Sequence, residues 1–425
     1  MTAFLTKFAL GLYGTTATVL SPIIKYHLKK RRLRGKEHPE RHPERLGYSS
    51  HPRPKGKLIW IHGASVGESL SILPLITELN RQKQDLRFLI TTGTTTSAEL
   101  MAKRLPDNAI HQFVPIDVPA AVERFLSHWS PNLGLIVESE LWPQLIFRTK
   151  KHKIPLLLIN GRMSKKSTKS WQRAPFFIKD LLGSFKLVLA QSKQDAQHFQ
   201  ELGATKVLES GNLKFFAEKL SYDPTGFEEL RSLTKNRPLW FASSTHKGEE
   251  LYFAQIQERL KEKIPNLLCI IAPRHPNRSQ DIVEELQSTN LVFSTRSKSE
   301  NIPPEIDLYL ADTLGELGLF YELASVVVMG GSFLRRGGQN LLEPARQDCA
   351  IICGPEMQNF EAICNEMVEA KAVIKLEKVD QLEAQLIQLL TSANERDNLA
   401  KTASEYVNNK GKGLHTIATH VLEQI

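Results

Sequence analysis

The sequence predicts an α/β protein built from two doubly wound domains. Three observations carry that prediction. The chain has 425 residues, too many for one ordinary domain. Short apolar runs without polar alternation recur between helix-length segments, as expected of strands buried on both faces of a parallel sheet. The rhythm breaks between about residues 217 and 237, around the turn-forming Asp223-Pro224-Thr225-Gly226, and then restarts. A hydrophobic content of 41% with 24% charged residues describes a globular protein with substantial cores.

The elements follow in chain order. Residues 8–24 are apolar and uncharged, near the lower limit for a membrane span, and show no convincing cleavage signature. Basic residues come next: Lys25, Lys29, Lys30, Arg31, Arg32, Arg34 and Lys36. The positive-inside rule then keeps the rest of the chain cytoplasmic. Residues 1–36 therefore read as an N-terminal membrane anchor helix with a basic stretch, either a single transmembrane helix or one lying in the interface. Residues 37–56 read as a polar, proline-rich linker. Its tandem His-Pro-Glu-Arg, at 38–41 and 42–45, reads as an exposed duplication, with metal binding by His38 and His42 as the alternative. The first domain, 37–220, has expected strands at 57–62, 86–91, 111–115, 133–137, 155–160 and 186–190. Its expected helices are 68–80, 96–104, 120–129, 141–150 and 193–202. The second, 221–425, has expected strands at 239–242, 267–272, 291–294, 307–311, 325–329 and 350–353, with helices after most of them. Residues 397–424 read as helical, with the option of packing back across the linker. A ligand site is expected in the cleft between the domains.

The net charge is +9. A second basic cluster, Arg162, Lys165, Lys166, Lys169 and Arg173, suits anionic lipid or nucleic acid, or is a solvated face. Cys269, Cys349, Cys353 and Cys364 form no CxxC pair, which argues against zinc and a disulfide framework.

The chemistry gathers at strand ends. The most informative stretch runs Met329-Gly330-Gly331-Ser332-Phe333, then Gly337-Gly338-Gln339-Asn340-Leu341-Leu342-Glu343-Pro344-Ala345. Glycines let a backbone approach a ligand, and a loop from a strand's carboxyl end into a helix is where α/β sheets bind nucleotides. Glu343 is placed to accept hydrogen bonds from ribose hydroxyls; a tight turn with a capping carboxylate is the alternative. Glu68 stands at a helix start after Gly63 and Gly67, where the helix dipole favours its ionised form and general-base work. Glu138 and Glu140 flank Ser139 at another strand end, as caps or as charge-stabilising groups. Lys214 could offset a leaving phosphate. The loops Ser243–Glu250, Pro273-Arg274-His275 and Asp312–Gly318 carry hydroxyl, basic and acidic groups suited to a nucleotide-sugar. No GxxxxGK[ST] and no GxGxxG after the first strand occur, which disfavours a P-loop ATPase and a dinucleotide dehydrogenase.

Taken together these motifs resemble the 3-deoxy-D-manno-octulosonic acid (Kdo) transferases of lipid A and lipopolysaccharide core biosynthesis. The stretches that carry the resemblance are Trp60–Glu68, Glu138–Pro143, Gly211–Lys214, Ser244–Glu250, Ala272–Pro276, Asp312–Phe320 and Gly330–Ala345. The resemblance implies an inverting GT-B glycosyltransferase with two Rossmann-like domains facing a cleft. CMP-Kdo is the implied donor, held mainly by the second domain, and a lipid IV-A-type lipid the acceptor. No cofactor or metal, and no nucleic acid, is implied; inner-membrane lipids are the implied surroundings. By the same resemblance Glu68 matches the proton acceptor, and Glu138 and Lys214 match positions that stabilise the transition state. Pro273, Arg274, His275, Gly315, Glu316, Leu317, Asn340, Leu341, Leu342 and Glu343 match the cytidylate-contacting loops. The tandem His-Pro-Glu-Arg is a departure from the family pattern. Two rivals stand beside this reading: another GT-B nucleotide-sugar enzyme such as a 2-epimerase, and a non-catalytic lipid-binding protein on the same fold.

Overall fold

The structure is a computed structural model and describes residues 2–34, 37–235, 237–298 and 302–425. Lys36 of the basic block lies outside the described residues. The chain divides into two compact units, one running to Ala217 and including Lys410–Ile425, the other Glu218–Asn409.

The first unit holds a seven-stranded parallel sheet. Its strands are β1 (Lys57–His62), β2 (Leu86–Thr92), β3 (Ala109–Phe113), β4 (Leu133–Val137), β5 (Leu156–Gly161), β6 (Leu187–Ala190) and β7 (Val207–Glu209), in the order β3-β2-β1-β4-β5-β6-β7. Apolar side chains alternate to both faces, so each face carries its own core. Trp60, Phe125 and Trp129 lie in one, and Ile59, Phe88 and Leu75 in the other. The C-terminal helix Leu414–Leu422 packs on helix α3 (Val66–Gln82) and adds Ile417 and Val421 to the second core.

The second unit repeats the plan. Its strands are β8 (Leu239–Thr245), β9 (Leu268–Pro273), β10 (Phe293–Thr295), β11 (Leu308–Leu310), β12 (Val326–Met329), β13 (Ala350–Cys353) and β14 (Ile374–Lys375), in the order β10-β11-β9-β8-β12-β13-β14, all parallel. In both sheets the strand order reverses beside the first strand, between β1 and β4 and between β8 and β12. Loops leaving the carboxyl ends of such a pair form the crevice where open α/β sheets take ligands.

Four features differ from the expectations. The expected break contains a helix, Pro224–Thr234. Asp223 accepts from the N–H groups of Thr225 and Gly226 with Pro224 at the first helical position, so the turn chemistry is that of a helix start. The second basic cluster lies on and around a short helix, Lys165–Trp171, followed by another, Pro175–Leu182. The apolar N-terminus is two helices, α1 (Thr2–Val19) and α2 (Ser21–Leu33). Among the described residues no helix is long and apolar enough to cross a membrane, so the transmembrane reading is not supported. Instead α1 lies on its own unit. It packs on the helix Pro175–Leu182, Tyr13 Oη donates to Asp117 at 3.0 Å, and Gln144 Nε2 donates to the Leu10 carbonyl at 3.3 Å.

The fourth correction concerns the tandem His-Pro-Glu-Arg, which is no exposed linker. Glu37, Glu44 and Arg45 are buried. Arg41 grips both Glu44 oxygens, at 2.8 and 2.9 Å, and donates to the His111 carbonyl at 2.9 Å. Glu44 in turn accepts the Phe113 N–H at 2.7 Å, which satisfies the edge of β3. Both guanidinium groups stack on the Phe113 ring, at 4.9 and 5.0 Å. His38 Nδ1 accepts from the N–H groups of Glu40 and Arg41, a local turn contact.

Candidate active site

In the first unit the crevice loops are Gly63–Ser65, after β1, and Glu138–Trp142, after β4. Ser65 caps α3, and Glu68 falls in its first turn. Glu68 is buried. Its Oε1 accepts from Ser65 Oγ at 2.6 Å and its Oε2 from the Ala64 N–H at 2.8 Å. The expectation that the helix start keeps this carboxyl readily ionised is corrected. Burial raises its pKa, and the Glu138 carboxylate raises it further, while Ser65, Ala64 and Lys214 pull the other way. A carboxylate with a raised pKa is better matched to proton abstraction near neutral pH.

Glu138 sits with φ at +57°, a left-handed conformation that turns the chain sharply out of β4. Its Oε1 lies 3.1 Å from Lys214 Nζ. Lys214 is delivered by a 3-10 turn, Leu213–Phe216, whose start is fixed twice. Asn212 Oδ1 accepts the Lys214 N–H at 2.9 Å, and Asn160 Oδ1, from the end of β5, accepts the Leu213 N–H at 2.9 Å. A third carboxylate, Glu140, accepts from Trp142 Nε1 at 2.6 Å, and burial raises its pKa, as do Glu68 and Glu138. The structure thus brings Glu68, Glu138 and Lys214 together. It adds Glu140, quoted in the sequence as a possible cap, and Ser65 and Asn160, which sequence reasoning passed over. Ser65 was findable as a helix cap three residues before a glutamate; Asn160 had no local signal. Beneath them His62 is fully buried against Trp142 and pushed down to about 4 by burial, so it stays neutral.

In the second unit the crevice loops leave β8 and β12. Gly330 runs so close to the β8 end that a Cβ would stand 2.7 Å from the Ser244 carbonyl oxygen and the Thr245 Cα, and Gly331 has φ at +68°. Only glycines fit there. Glu249, fully buried, joins the two loops: Oε2 accepts the N–H groups of His246 and Gly331 at 2.8 and 2.7 Å, and Oε1 accepts that of Phe333 at 3.0 Å. Glu250 beside it takes Thr245 Oγ1 at 2.9 Å and Arg278 at 3.0 Å. Around these loops stand His246, with its ring against that of His275 and its Nε2 3.0 Å from Gln339 Nε2, and the exposed Arg274. Pro273 ends β9 and is buried. Gly315 has φ at +87° and open space at its Cβ position; Leu317 begins a short helix, and Glu316 is held by Arg296 at 2.7 Å and by Thr313. Asn340 Oδ1 accepts the Leu342 N–H at 3.1 Å, and its Nδ2 donates to Glu343 at 3.0 Å. The helix Leu342–Arg346 is only five residues long, and burial raises the Glu343 pKa. Leu341 and Leu342 are fully buried, so their side chains pack the core and leave only backbone to face a ligand.

Two parallel sheets with loops of this kind at both switch points define an α/β fold resembling the GT-B glycosyltransferases. The same fold is seen in the crystal structure of UDP-GlcNAc 2-epimerase from Neisseria meningitidis. That protein is 14% identical, with a TM-score of 0.58, and the match covers 87% of this chain and all of that one. At that identity the likeness is one of fold alone. Sequence relatives decide the family. Residues 40–217 match the family model described as 3-deoxy-D-manno-octulosonic-acid transferase (kdotransferase). A probable mitochondrial 3-deoxy-D-manno-octulosonic acid transferase of Arabidopsis thaliana is 38% identical over 91% of this chain and 88% of its own length. The 3-deoxy-D-manno-octulosonic acid transferase of Haemophilus influenzae is 30% identical over 92% and 93%. The chain belongs to the Kdo transferase family.

Proposed function

We propose that this protein is an inverting glycosyltransferase. It moves Kdo from CMP-Kdo to a lipid IV-A-type acceptor in lipopolysaccharide core biosynthesis. The observation that carries the reading is the Glu68 carboxylate, buried, held by two donors and flanked by the Glu138–Lys214 pair. An acceptor hydroxyl gives its proton to Glu68 as its oxygen bonds the anomeric carbon. The bond from that carbon to the CMP phosphate oxygen breaks, and CMP leaves with the electron pair. Lys214 offsets negative charge near the reacting centre. The second unit binds the nucleotide through the loops around Gly331, Arg274, Gly315 and Asn340–Glu343, with Arg274 on phosphate and Glu343 on ribose. Mass spectrometry of the product formed from CMP-Kdo and a lipid IV-A acceptor tests the reaction; no product of added Kdo mass overturns it.

The donor placement has its own test. Arg274→Ala weakens CMP binding by about 1.5–3 kcal/mol, the worth of a hydrogen bond to a charged group. Calorimetry giving wild-type CMP affinity in both Arg274→Ala and Glu343→Ala rules the placement out.

The proposed location is the cytoplasmic face of the inner membrane, with α1 and α2 lying in the interface. Phe8, Leu12, Val19 and Ile23 are exposed apolar side chains, and Lys25, Lys29, Lys30 and Arg34 are exposed on and just after α2. Because α1 packs on its unit, replacing charges is a cleaner test than deletion. Changing those four residues to Gln removes about 1 kcal/mol of attraction to an anionic surface apiece. Flotation with anionic vesicles at low and high salt should show the variant released at low salt. Equal retention of both proteins at both salts places the attachment elsewhere.

A further inference from the structure

The tandem His-Pro-Glu-Arg forms the outer end of a polar path to the proposed base. Arg45 is 8% exposed and Glu37 6%. Glu37 Oε1 takes Arg31 of α2 at 2.8 Å, and its Oε2 takes Arg45 Nε at 3.3 Å. The rest of the Arg45 guanidinium reaches inward. Its Nη1 donates to the Val114 carbonyl at 3.3 Å, and its Nη2 donates to the Gly93 carbonyl. Gly93 N–H donates to the Ala64 carbonyl at 3.0 Å, and Ala64 N–H donates to Glu68 Oε2 at 2.8 Å. A Cβ on Gly93 would stand 3.0 Å from the Ala64 carbonyl oxygen, so a side chain there would push the Ala64 loop by a few tenths of an ångström. We infer that Arg45 is a positioning residue for Glu68, acting through Gly93 and Ala64.

The inference rests on the reading of Glu68 as the base. One guanidinium reaches three acceptors from three separate nitrogens of a rigid planar fork, a span that an ammonium, with its three donors on one nitrogen, does not cover. A guanidinium this far from water costs free energy even when paired, and a merely decorative linker gives no reason to bury one. A purely structural tie would change stability alone. Control of Ala64 has a further signature, because the Ala64 N–H bond favours the ionised form of Glu68. Loosening it moves the acid limb of the kcat profile to higher pH. The other groups facing Glu68 are Ser65 on its own cap, Glu138 and Glu140 on the loop after β4, and Lys214; none is bonded to Arg45 in the path described. His62 remains neutral over that range.

The experiment compares kcat, KM and their pH profiles for Arg45→Lys, Gly93→Ala, Arg41→Lys and Glu68→Gln, each checked by circular dichroism. Arg45→Lys and Gly93→Ala should each lower kcat by about tenfold to a hundredfold, the cost of misplacing a catalytic group by a fraction of an ångström to an ångström. Both should raise the acid limb with little change in KM. Arg41→Lys, which loosens the same segment off the path, should leave the limb in place. If Arg45→Lys does not fold, Gly93→Ala carries the test. A folded Arg45→Lys or Gly93→Ala with wild-type kcat and an unmoved limb overturns the inference, provided Glu68→Gln is inactive. Full turnover in Glu68→Gln overturns the base assignment itself, which is a separate failure.

Discussion

Glu68→Gln lowers turnover by roughly a hundredfold or more while CMP binding stays as it was. The amide keeps the volume, and its oxygen still accepts from Ser65 or Ala64. What disappears is the proton acceptor. The same reasoning fixes the direction of the pH dependence. The active form is the carboxylate, and burial raises the Glu68 pKa. Activity should therefore fall as pH drops through a value above that of an exposed glutamate. Lys214 pulls that pKa down, so Lys214→Met should move the acid limb upward as well as lowering kcat. Steady-state kinetics across pH, with calorimetric CMP affinity as control, checks both. Near-normal turnover in Glu68→Gln with unchanged CMP binding removes the assignment.

Much of the fold is written locally. Leu58–Ile61, Phe88–Ile90 and Val326–Met329 are uninterrupted apolar runs because both faces of their strands are covered, and such runs are legible without a partner. Two of the four edge strands are not. Val207–Glu209 and Ile374–Lys375 are short and partly exposed, so no run marks them. The helix Pro224–Thr234 hid behind its own cap, since Asp-Pro opens turns and helices alike. Within the candidate site, Glu68 was visible because it stands at a helix start after Gly63 and Gly67 at the end of an apolar run. The Glu138–Lys214 contact was not derivable from spacing, because β5, β6 and β7 intervene between the two residues. Arg41, Glu44 and Arg45 looked like solvated linker charge, because the groups that bury them, Phe113, His111 and the Gly93 carbonyl, come from later strands and loops. Leu341 and Leu342 show the opposite error: a motif match drew in two residues whose side chains belong to the core.

Glu249 is one of the acidic groups of the Ser243–Glu250 loop, to which the sequence gives no role of its own, and its removal should cost the second unit more than any other single change at these loops. Its carboxylate is the shared acceptor for three backbone N–H groups, those of His246, Gly331 and Phe333. Burial raises its pKa, so the charge itself is costly to keep there, and the bonds offset that cost. Glu249→Ala leaves three backbone amides without this acceptor, those of Gly331 and Phe333 buried and that of His246 part-buried, each worth up to about 1–3 kcal/mol, against which the relief of a buried charge is set. A net loss of about 3 kcal/mol lowers the thermal midpoint of a unit this size by about 6–12 °C. Glu249→Gln should lose much less. Its oxygen can occupy the Oε2 position and keep the His246 and Gly331 bonds, while its amide faces only the Phe333 N–H. The loops from β8 and β12 are joined by this carboxylate through Gly331 and Phe333, by the Gly330 N–H bond to the Ser243 carbonyl and by the Gln339–His246 side-chain contact, and the carboxylate supplies two of these links. The alanine variant should therefore also lose CMP affinity at temperatures where the unit is still folded. Differential scanning calorimetry with and without CMP reads both effects. Equal midpoints for wild type and Glu249→Ala would show that water or backbone rearrangement satisfies the three amides, and that the carboxylate is not what holds the two loops together.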